Sequence, residues 1–179
     1  MSVAIELLPD IKVFELKVYG DQRGFFVESY NKRMLADAGI DAEFVQDNHS
    51  RSVRHVLRGL HYQVRRPQGK LVRVMTGEVL DVAVDIRRES PTFGRSVSMI
   101  LSAENTRVLW IPPGFAHGFV VRSEYADFVY KTTDYYFPEY ERSILWNDPD
   151  LAIDWQLTGE PVLSPKDAKA PRFADAELA

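Results

Sequence analysis

Residues 78–86 read EVLDVAVDI, in which every second side chain is a large aliphatic one. Such strict alternation predicts a β-strand, because successive side chains of a strand point to opposite faces of its sheet. Short runs of similar character, separated by Gly and Pro turn residues, occupy 11–18, 24–30, 71–76, 95–101, 107–111, 118–122 and 127–133. One helix is predicted, over 31–38, with Gly39 ending it. Many short strands and almost no helix indicate an all-β sandwich or barrel.

Turn residues divide these strands, and Gly77-Glu78 is interpreted as a hairpin turn. From about residue 146 the sequence becomes rich in Pro and Asp and loses its periodicity. Trp146 and Trp155 in this tail predict that part of it packs on the barrel. No repeat or linker interrupts the chain, so we expect one domain over 1–179, with the barrel ending at about 145 and a C-terminal extension over about 146–179.

Length and composition are those of an ordinary globular protein. The 179 residues include 22 Lys and Arg against 26 Asp and Glu, a formal net charge of −4, and 45% apolar residues. The absence of cysteine excludes disulfides, a thiolate metal site and a cysteine nucleophile. Glu6 and Asp10 interrupt the start of the chain where a signal peptide needs an apolar run. We therefore expect a cytoplasmic protein with no membrane partner.

Positive charge is concentrated in one segment. No acidic residue lies between Asp47 and Glu78. This segment contains Arg51, Arg54, Arg58, Arg65, Arg66, Lys70 and Arg73. In an otherwise acidic chain it predicts a local anion site rather than a nucleic-acid surface, which usually requires a basic domain. The alternative is a solvated charged face with acidic partners from elsewhere in the fold.

Two of the four histidines are notable: His61 lies in LRGLHYQ, a predicted strand after Gly59, and His117 follows the Pro113-Gly114 turn that leads into an apolar strand. A cationic surrounding favours the neutral imidazole that a general base requires, although a strand histidine is more often a packing residue. Pro112, Gly114 and His117 form the Pro-x-Gly-x-x-His pattern of the second cupin motif. Metal-binding cupins also carry His-x-His and a glutamate, whereas this chain has the single His61 among cationic side chains. We therefore expect no metal.

Longer strings give a more specific resemblance. HVLRGLHYQ, QGKLVRVMTGEVLDVAVDIRRESPTFG, LSAENTRVLWIPPGFAHGF, YKTTDYY, WNDPDLAIDW and LSPKDA occur in this order. Together with GDQRGFFVES at 20–29 they resemble the dTDP-4-dehydrorhamnose 3,5-epimerases over nearly the whole chain. The resemblance implies a cupin-type jelly roll that inverts two carbons of a 4-keto sugar through enolates, without a cofactor, in dTDP-L-rhamnose biosynthesis.

The resemblance also implies roles for individual residues. His61 matches the base, and an imidazole has an ordinary pKa of about 6.5, suited to this work near neutrality. Asp167 matches the carboxylate that orients His61, and Tyr130 matches the acid that returns the proton. Lys70 matches the lysine that stabilises the enolate oxygen.

Substrate binding is implied for a further set of positions. Arg58 and His117 match groups that hold sugar and phosphate oxygens. The remaining matched binding positions are Arg23, Glu28, Gln46, Asp47, Asn48, Glu141 and Lys166. In the family the segment with Arg23 and Glu28 comes from the neighbouring subunit, so a homodimer is expected.

The chain also departs from the family pattern. The loop at 64–69 is about one residue shorter than expected, and its Arg65-Arg66 pair is more basic, which can alter substrate preference without changing the chemistry. Three alternatives stay open: a single-site epimerase of an antibiotic or other deoxysugar pathway, a non-catalytic sugar-nucleotide-binding cupin, and a metal-dependent cupin oxygenase. The presence of both His61 and Tyr130 favours double inversion.

Overall fold

A computed structural model describes residues 3–178 of the chain. Its strands are β1 (Val3–Leu8), β2 (Ile11–Glu15), β3 (Val18–Asp21), β4 (Gly24–Val27), β5 (Gln46–Val53), β6 (Leu57–Gln63), β7 (Lys70–Thr76), β8 (Glu78–Asp85), β9 (Ser96–Ser102), β10 (Arg107–Ile111), β11 (Phe115–Val121), β12 (Tyr125–Thr132) and β13 (Glu141–Ser143). The helices are α1 (Lys32–Asp37), α2 (Pro165–Ala168) and two 3₁₀ turns, Pro138–Tyr140 and Phe173–Asp175. Within residues 3–178, no helix is long and apolar enough to cross a membrane.

The strands form two packed antiparallel sheets and a separate two-stranded arm. One sheet has the order β1-β2-β10-β7-β12-β5, the other β13-β6-β11-β8-β9, and β3 pairs with β4 in the arm. The predicted all-β fold is confirmed, and the predicted helix is present as α1. Side chains from both sheets meet in a shared core that includes Phe128, Phe119 and Leu109. This core forms the base of the barrel interior.

Strand β8 is buried on both faces, with every residue after Glu78 shielded from solvent. Leu80 and Val82 pack outward in a cluster with Trp155 of the C-terminal extension, which is 3% exposed. The intervening Asp81 and Ala83 are also buried, on the barrel side. The alternation in this strand thus separates an outer apolar layer, covered by the extension, from an interior face that can carry polar groups.

The interpretation of Gly77-Glu78 as a hairpin turn is wrong. Strands β7 and β8, on either side of Gly77, belong to different sheets. Gly77 has φ of 77°, and a Cβ there would lie 2.1 Å from the Tyr125 carbonyl oxygen. The chain therefore turns a corner from one sheet to the other, at a position where only glycine fits.

A buried carboxylate anchors the loop between β8 and β9. Asp85 is fully buried and accepts hydrogen bonds from Arg87, Ser90 and Thr92, with Arg87 Nη2 at 2.8 Å from Oδ2. Burial alone would raise the pKa of Asp85, but these hydrogen bonds outweigh it and hold the pKa well below its ordinary value. Ionised Asp85 therefore stabilises the fold.

Asp85→Asn is expected to lower the free energy of unfolding at pH 7 by about 2 kcal/mol, the scale of hydrogen bonds to a buried charge. Because the folded pKa lies below the unfolded value of 3.8, this stability is complete above about pH 4 and is lost as the pH falls further. Thermal unfolding from pH 7 to pH 3 measures it, with the exposed Asp41→Asn as control. An equal melting temperature for Asp85→Asn and the native chain at pH 7 would contradict this assignment.

Candidate active site

A cavity of about 280 Å³ lies between the two sheets. It is lined by Asn48, His49, Ser50, Arg58, His61, Lys70, His117, Gly118, Phe119, Phe128 and Tyr130. Strands β6 and β11 of one sheet contribute His61 and His117, whereas β7 and β12 of the other contribute Lys70 and Tyr130. The structure thus brings imidazole, ammonium and phenol groups to one interior space from two facing walls.

An irregularity in β6 places two of these side chains on one face. His61 pairs with His117 and Arg58 with Phe119, so three steps along β6 match two along β11. The extra residue lets Arg58 and His61 face the same side despite their odd spacing. Gly59 and Gly118 permit the close approach, since a Cβ on Gly59 would lie 2.5 Å from the Gly118 Cα.

The C-terminal extension supplies a carboxylate to His61. His61 Nε2 lies 2.5 Å from Asp167 Oδ1, and Asp167 is 2% exposed. Asp167 occupies the first turn of α2, where Ser164 caps the helix and its Oγ donates to Asp167 Oδ2 at 2.7 Å. With Nε2–H donating to Asp167, Nδ1 is the basic nitrogen of the His61 ring.

Burial acts to raise the pKa of Asp167, but hydrogen bonds from His61 and Ser164 and the nearby Lys166 charge hold it below its ordinary value. An ionised Asp167 fixes the ring orientation of His61 and stabilises the imidazolium that forms when His61 accepts a proton. This pair has the components of a general base and its orienting carboxylate.

A second imidazole–carboxylate pair lies deeper in the cavity. His117 Nε2 is 2.9 Å from Asp81 Oδ2, and both side chains are buried. Burial lowers the pKa of His117, and the nearby Lys70 and His61 charges lower it further, against the opposing effect of Asp81. His117 is thereby suited to act as a neutral hydrogen-bonding group rather than a cation.

Lys70 and Tyr130 are perturbed by the same low-dielectric surroundings. Burial lowers the pKa of Lys70 to about 8, although Asp81 and Glu141 act to raise it. Burial and the Glu141 charge raise the pKa of Tyr130, with Arg58 opposing them. Lys70 can therefore supply positive charge near neutrality, and Tyr130 retains a proton to donate.

Beside the cavity, three side chains form a hydrogen-bonded group. Lys166 Nζ lies 2.6 Å from Glu141 Oε2, and the Tyr136 hydroxyl donates to the same oxygen at 2.8 Å. The Glu141 charge acts on Lys70 and Tyr130, which places it near the reactive groups. Glu141 and Lys166, both predicted as binding residues, thus occupy one end of the candidate site.

Four other predicted binding residues do not line this cavity within one chain. Asp47 points to the opposite face of β5, where Lys131 Nζ lies 2.9 Å from its Oδ2. Arg23 lies in the β3–β4 arm with its side chain 86% exposed, and Glu28 accepts a hydrogen bond from Asn31. Gln46 lies at the start of β5 and accepts from the Tyr136 amide at 3.0 Å.

The basic segment divides between the two faces of the sheets. Arg58 and Lys70 line the cavity, as an anion site would require. Arg51 instead pairs with Asp127, and Arg66 pairs with Asp134, so acidic partners for these two come from β12 and the loop after it. The basic segment therefore supplies charges to the cavity and also forms ion pairs with acidic residues from elsewhere in the fold.

Two buried polar residues were missed in the sequence analysis. Asp81 was interpreted only as part of a strand pattern, yet an acidic side chain among the apolar residues of a predicted strand was a usable signal. Gln63 is 4% exposed and joins two loops by side-chain hydrogen bonds.

Among residues 3–178, no group of three or more His, Cys, Asp or Glu side chains could hold a metal ion.

The arrangement suits proton transfer at a carbon acid. His61 and Tyr130 face one interior space from opposite sheets, so a proton can leave one side of a bound molecule and return to the other. Lys70 lies where developing negative charge can be stabilised without solvent reorganisation.

Comparisons with known proteins agree on one family. A family model described as dTDP-4-dehydrorhamnose 3,5-epimerase matches residues 6–175. A Pseudomonas aeruginosa protein of that name is 64% identical over 171 residues, covering 95% of this chain and 94% of its own length. The Legionella pneumophila dTDP-6-deoxy-D-glucose-3,5-epimerase, solved with dTDP-4-keto-L-rhamnose, superposes with a TM-score of 0.95 at 57% identity, covering 98% and 94% of the two chains. A 3′-monoepimerase from Streptomyces bikiniensis, solved as a double mutant with dTDP, gives a TM-score of 0.87 at 33% identity, with 92% and 83% covered.

Asp81→Asn is expected to lower the pKa of Lys70 below about 8, because the variant removes a negative charge that favours the ammonium form. NMR titration of the Lys70 side-chain nitrogen measures this shift. Asp85→Asn, which removes a buried carboxylate on the same face of β8 but outside the cavity lining, should leave the pKa of Lys70 unchanged. An unchanged or raised Lys70 pKa in Asp81→Asn would contradict the proposed electrostatics.

Proposed function

The chain belongs to the dTDP-4-dehydrorhamnose 3,5-epimerase family, and we propose how its residues carry out the reaction. The enzyme is an isomerase that inverts C3 and C5 of dTDP-4-dehydro-6-deoxy-D-glucose, giving dTDP-4-dehydro-L-rhamnose in dTDP-L-rhamnose biosynthesis. The observation that carries the mechanism is the placement of the His61–Asp167 pair and Tyr130 on facing walls of one cavity.

The C4 ketone of the substrate acidifies the hydrogens on C3 and C5. In each inversion, His61 Nδ1 takes one of these protons, and the electron pair of the broken C–H bond moves into an enolate whose oxygen is the former C4 carbonyl oxygen. Asp167 stabilises the resulting imidazolium, and Lys70 stabilises the enolate oxygen. No oxidation or reduction occurs, which agrees with a reaction that needs no cofactor.

Tyr130 completes each inversion from the other wall. Its phenol gives a proton to the opposite face of the enolate carbon, which re-forms the C4 ketone and leaves the carbon inverted. His61 then loses its proton, and Tyr130 regains one, by exchange with water. The raised pKa of Tyr130 keeps its proton in place until the enolate forms.

We assign the nucleotide part of the substrate to the charged side chains at one end of the cavity. Arg58 can form paired hydrogen bonds with diphosphate oxygens, because a planar guanidinium matches that geometry. Glu141 and Lys166 lie on the same side as Tyr136. Asn48 lines the cavity on the facing wall and is assigned to the same end of the substrate.

A homodimer is proposed to complete the site. Arg23 and Glu28 lie in or beside an arm whose Phe25 and Phe26 are 71% and 69% exposed. Two exposed aromatic rings on a two-stranded projection are typical of a surface that another chain covers. We assign Arg23 and Glu28 to the substrate site of the partner subunit, which explains why they lie away from the cavity of their own chain.

The alternative of a single inversion is less well supported. The relatives that are named 3,5-epimerases reach 64% identity, against 33% for the 3′-monoepimerase. A binding module that does not turn over substrate would have no need for a buried carboxylate on His61. We therefore place this chain with the double epimerases.

His61→Ala is expected to abolish product formation, because the variant removes the imidazole that accepts the substrate proton and that Asp167 orients. Tyr130→Phe removes one oxygen and should slow turnover by about 100-fold or more, the scale of general-acid catalysis. Turnover is measured by coupling to a 4-ketoreductase and identifying the L-rhamnose-type product. Full activity of His61→Ala would rule out the assigned base.

Mixing two inactive variants tests the shared site. If Arg23 serves the neighbouring subunit, Arg23→Ala and His61→Ala chains in one dimer create one site with both defects and one with neither. Refolding the two together should therefore restore activity that neither has alone, up to about a quarter of the native specific activity for random mixing. A mixture as inactive as its components would place Arg23 in the site of its own chain, and native activity of Arg23→Ala alone would place Arg23 outside any site.

A further inference from the structure

Two loops meet beside the opening of the cavity. Residues 64–69 join β6 to β7, and residues 133–137 follow β12. Thr133 and Gly69 exchange two hydrogen bonds, from the Thr133 amide to the Gly69 carbonyl at 3.0 Å and from the Gly69 amide to Thr133 Oγ1 at 2.8 Å. Both loops therefore lie at the end of the barrel where β7 begins with Lys70.

The buried side chain of Gln63 connects these two loops. Its Nε2 donates to the Arg66 carbonyl at 2.8 Å and the Tyr135 carbonyl at 3.3 Å. Its Oε1 accepts from the Phe137 amide at 2.7 Å. One amide thus satisfies three backbone groups drawn from both loops, which makes their relative position dependent on Gln63.

Arg66 connects them from the solvent side. Its Nε and Nη2 lie 2.9 and 2.8 Å from the two carboxylate oxygens of Asp134, and its guanidinium lies 4.6 Å from the Phe137 ring centre. A bidentate pair of this kind restricts orientation as well as distance. Arg65 contacts the Tyr140 ring instead, beyond the 133–137 loop.

The 133–137 loop controls groups assigned to the substrate. The Tyr136 amide donates to Gln46 Oε1 at 3.0 Å, and its hydroxyl donates to Glu141. Glu141 in turn pairs with Lys166. A shift of this loop would therefore move several groups at the nucleotide end while leaving His61 and its carboxylate in place.

We propose that Gln63 and the Arg66–Asp134 pair are positioning residues that lock the 133–137 loop and thereby set the affinity for the nucleotide part of the substrate. The proposal rests on the proposed function, because it takes a dTDP-sugar as the ligand. It gives a physical role to the shortened, more basic 64–69 loop. Proton transfer at the sugar ring is left to the groups between the sheets.

Three measurements on Arg66→Gln and Asp134→Asn test this proposal: calorimetric titration with dTDP, steady-state KM and kcat, and hydrogen–deuterium exchange of residues 133–137. Each variant should raise the Kd for dTDP and the KM by about two- to fivefold, the range for a partly exposed bidentate pair, with kcat within about twofold. The double variant should be no weaker than the worse single one, because both remove the same interaction. Exchange in 133–137 should be faster in all three.

Arg65→Gln is the matched control, since it removes an adjacent arginine charge without touching the 133–137 loop. Gln63→Glu keeps an acceptor for Phe137 but loses both donors, so it should weaken dTDP binding further.

Native dTDP affinity in Arg66→Gln and Asp134→Asn, or an equal loss in Arg65→Gln, would overturn the proposal. Failure of the proposed function would be visible in the native protein as no turnover, whereas failure of the loop proposal would be visible only in the variants.

Discussion

The hydrogen bond between His61 and Asp167 is the contact on which the site depends. It joins strand β6 of the barrel to a helix of the C-terminal extension, 106 positions later in the chain. The extension is held there by an apolar layer that includes Trp155 and the outward side chains of β8. Burial of that layer, worth about 25 cal/mol per Å² of apolar surface, holds the extension and its carboxylate against the barrel. Packing on the outer face of one sheet therefore determines chemistry on its inner face.

The two-sheet architecture supplies the rest of the geometry. An inversion needs a base and an acid on opposite sides of one carbon, and facing sheets provide two walls about 10 Å apart. His61 projects from one wall, and Tyr130 and Lys70 project from the other. The interior has a low dielectric, which lowers the pKa of Lys70 and raises that of Tyr130. These opposite shifts keep one group able to change charge near neutrality and the other protonated.

Periodicity in the sequence was sufficient to predict most of the strands, but it did not show which strands pair with one another. Strand β5 was not predicted, because its inward residues, such as Asn48 and Ser50, are polar and face the cavity, so the strand has no apolar alternation. The turn at Gly77 was misassigned because a local pattern does not show whether the chain stays in one sheet. The match to a known family identified His61 and Asp167, whereas their contact depends on tertiary packing. Asp81 was overlooked because the alternation around it is that of a strand. Its effect on Lys70 and His117 depends on which groups the fold places opposite it.

The roles given to the cavity residues require proton exchange at two carbons of one substrate. Proton NMR of the native protein with dTDP-4-dehydro-6-deoxy-D-glucose in D₂O tests it most directly. We expect deuterium at both C3 and C5, with no cofactor added. Deuterium at one carbon only would contradict the double inversion, and no exchange at either carbon by folded protein that binds the ligand would contradict the assignment of His61 and Tyr130 as base and acid.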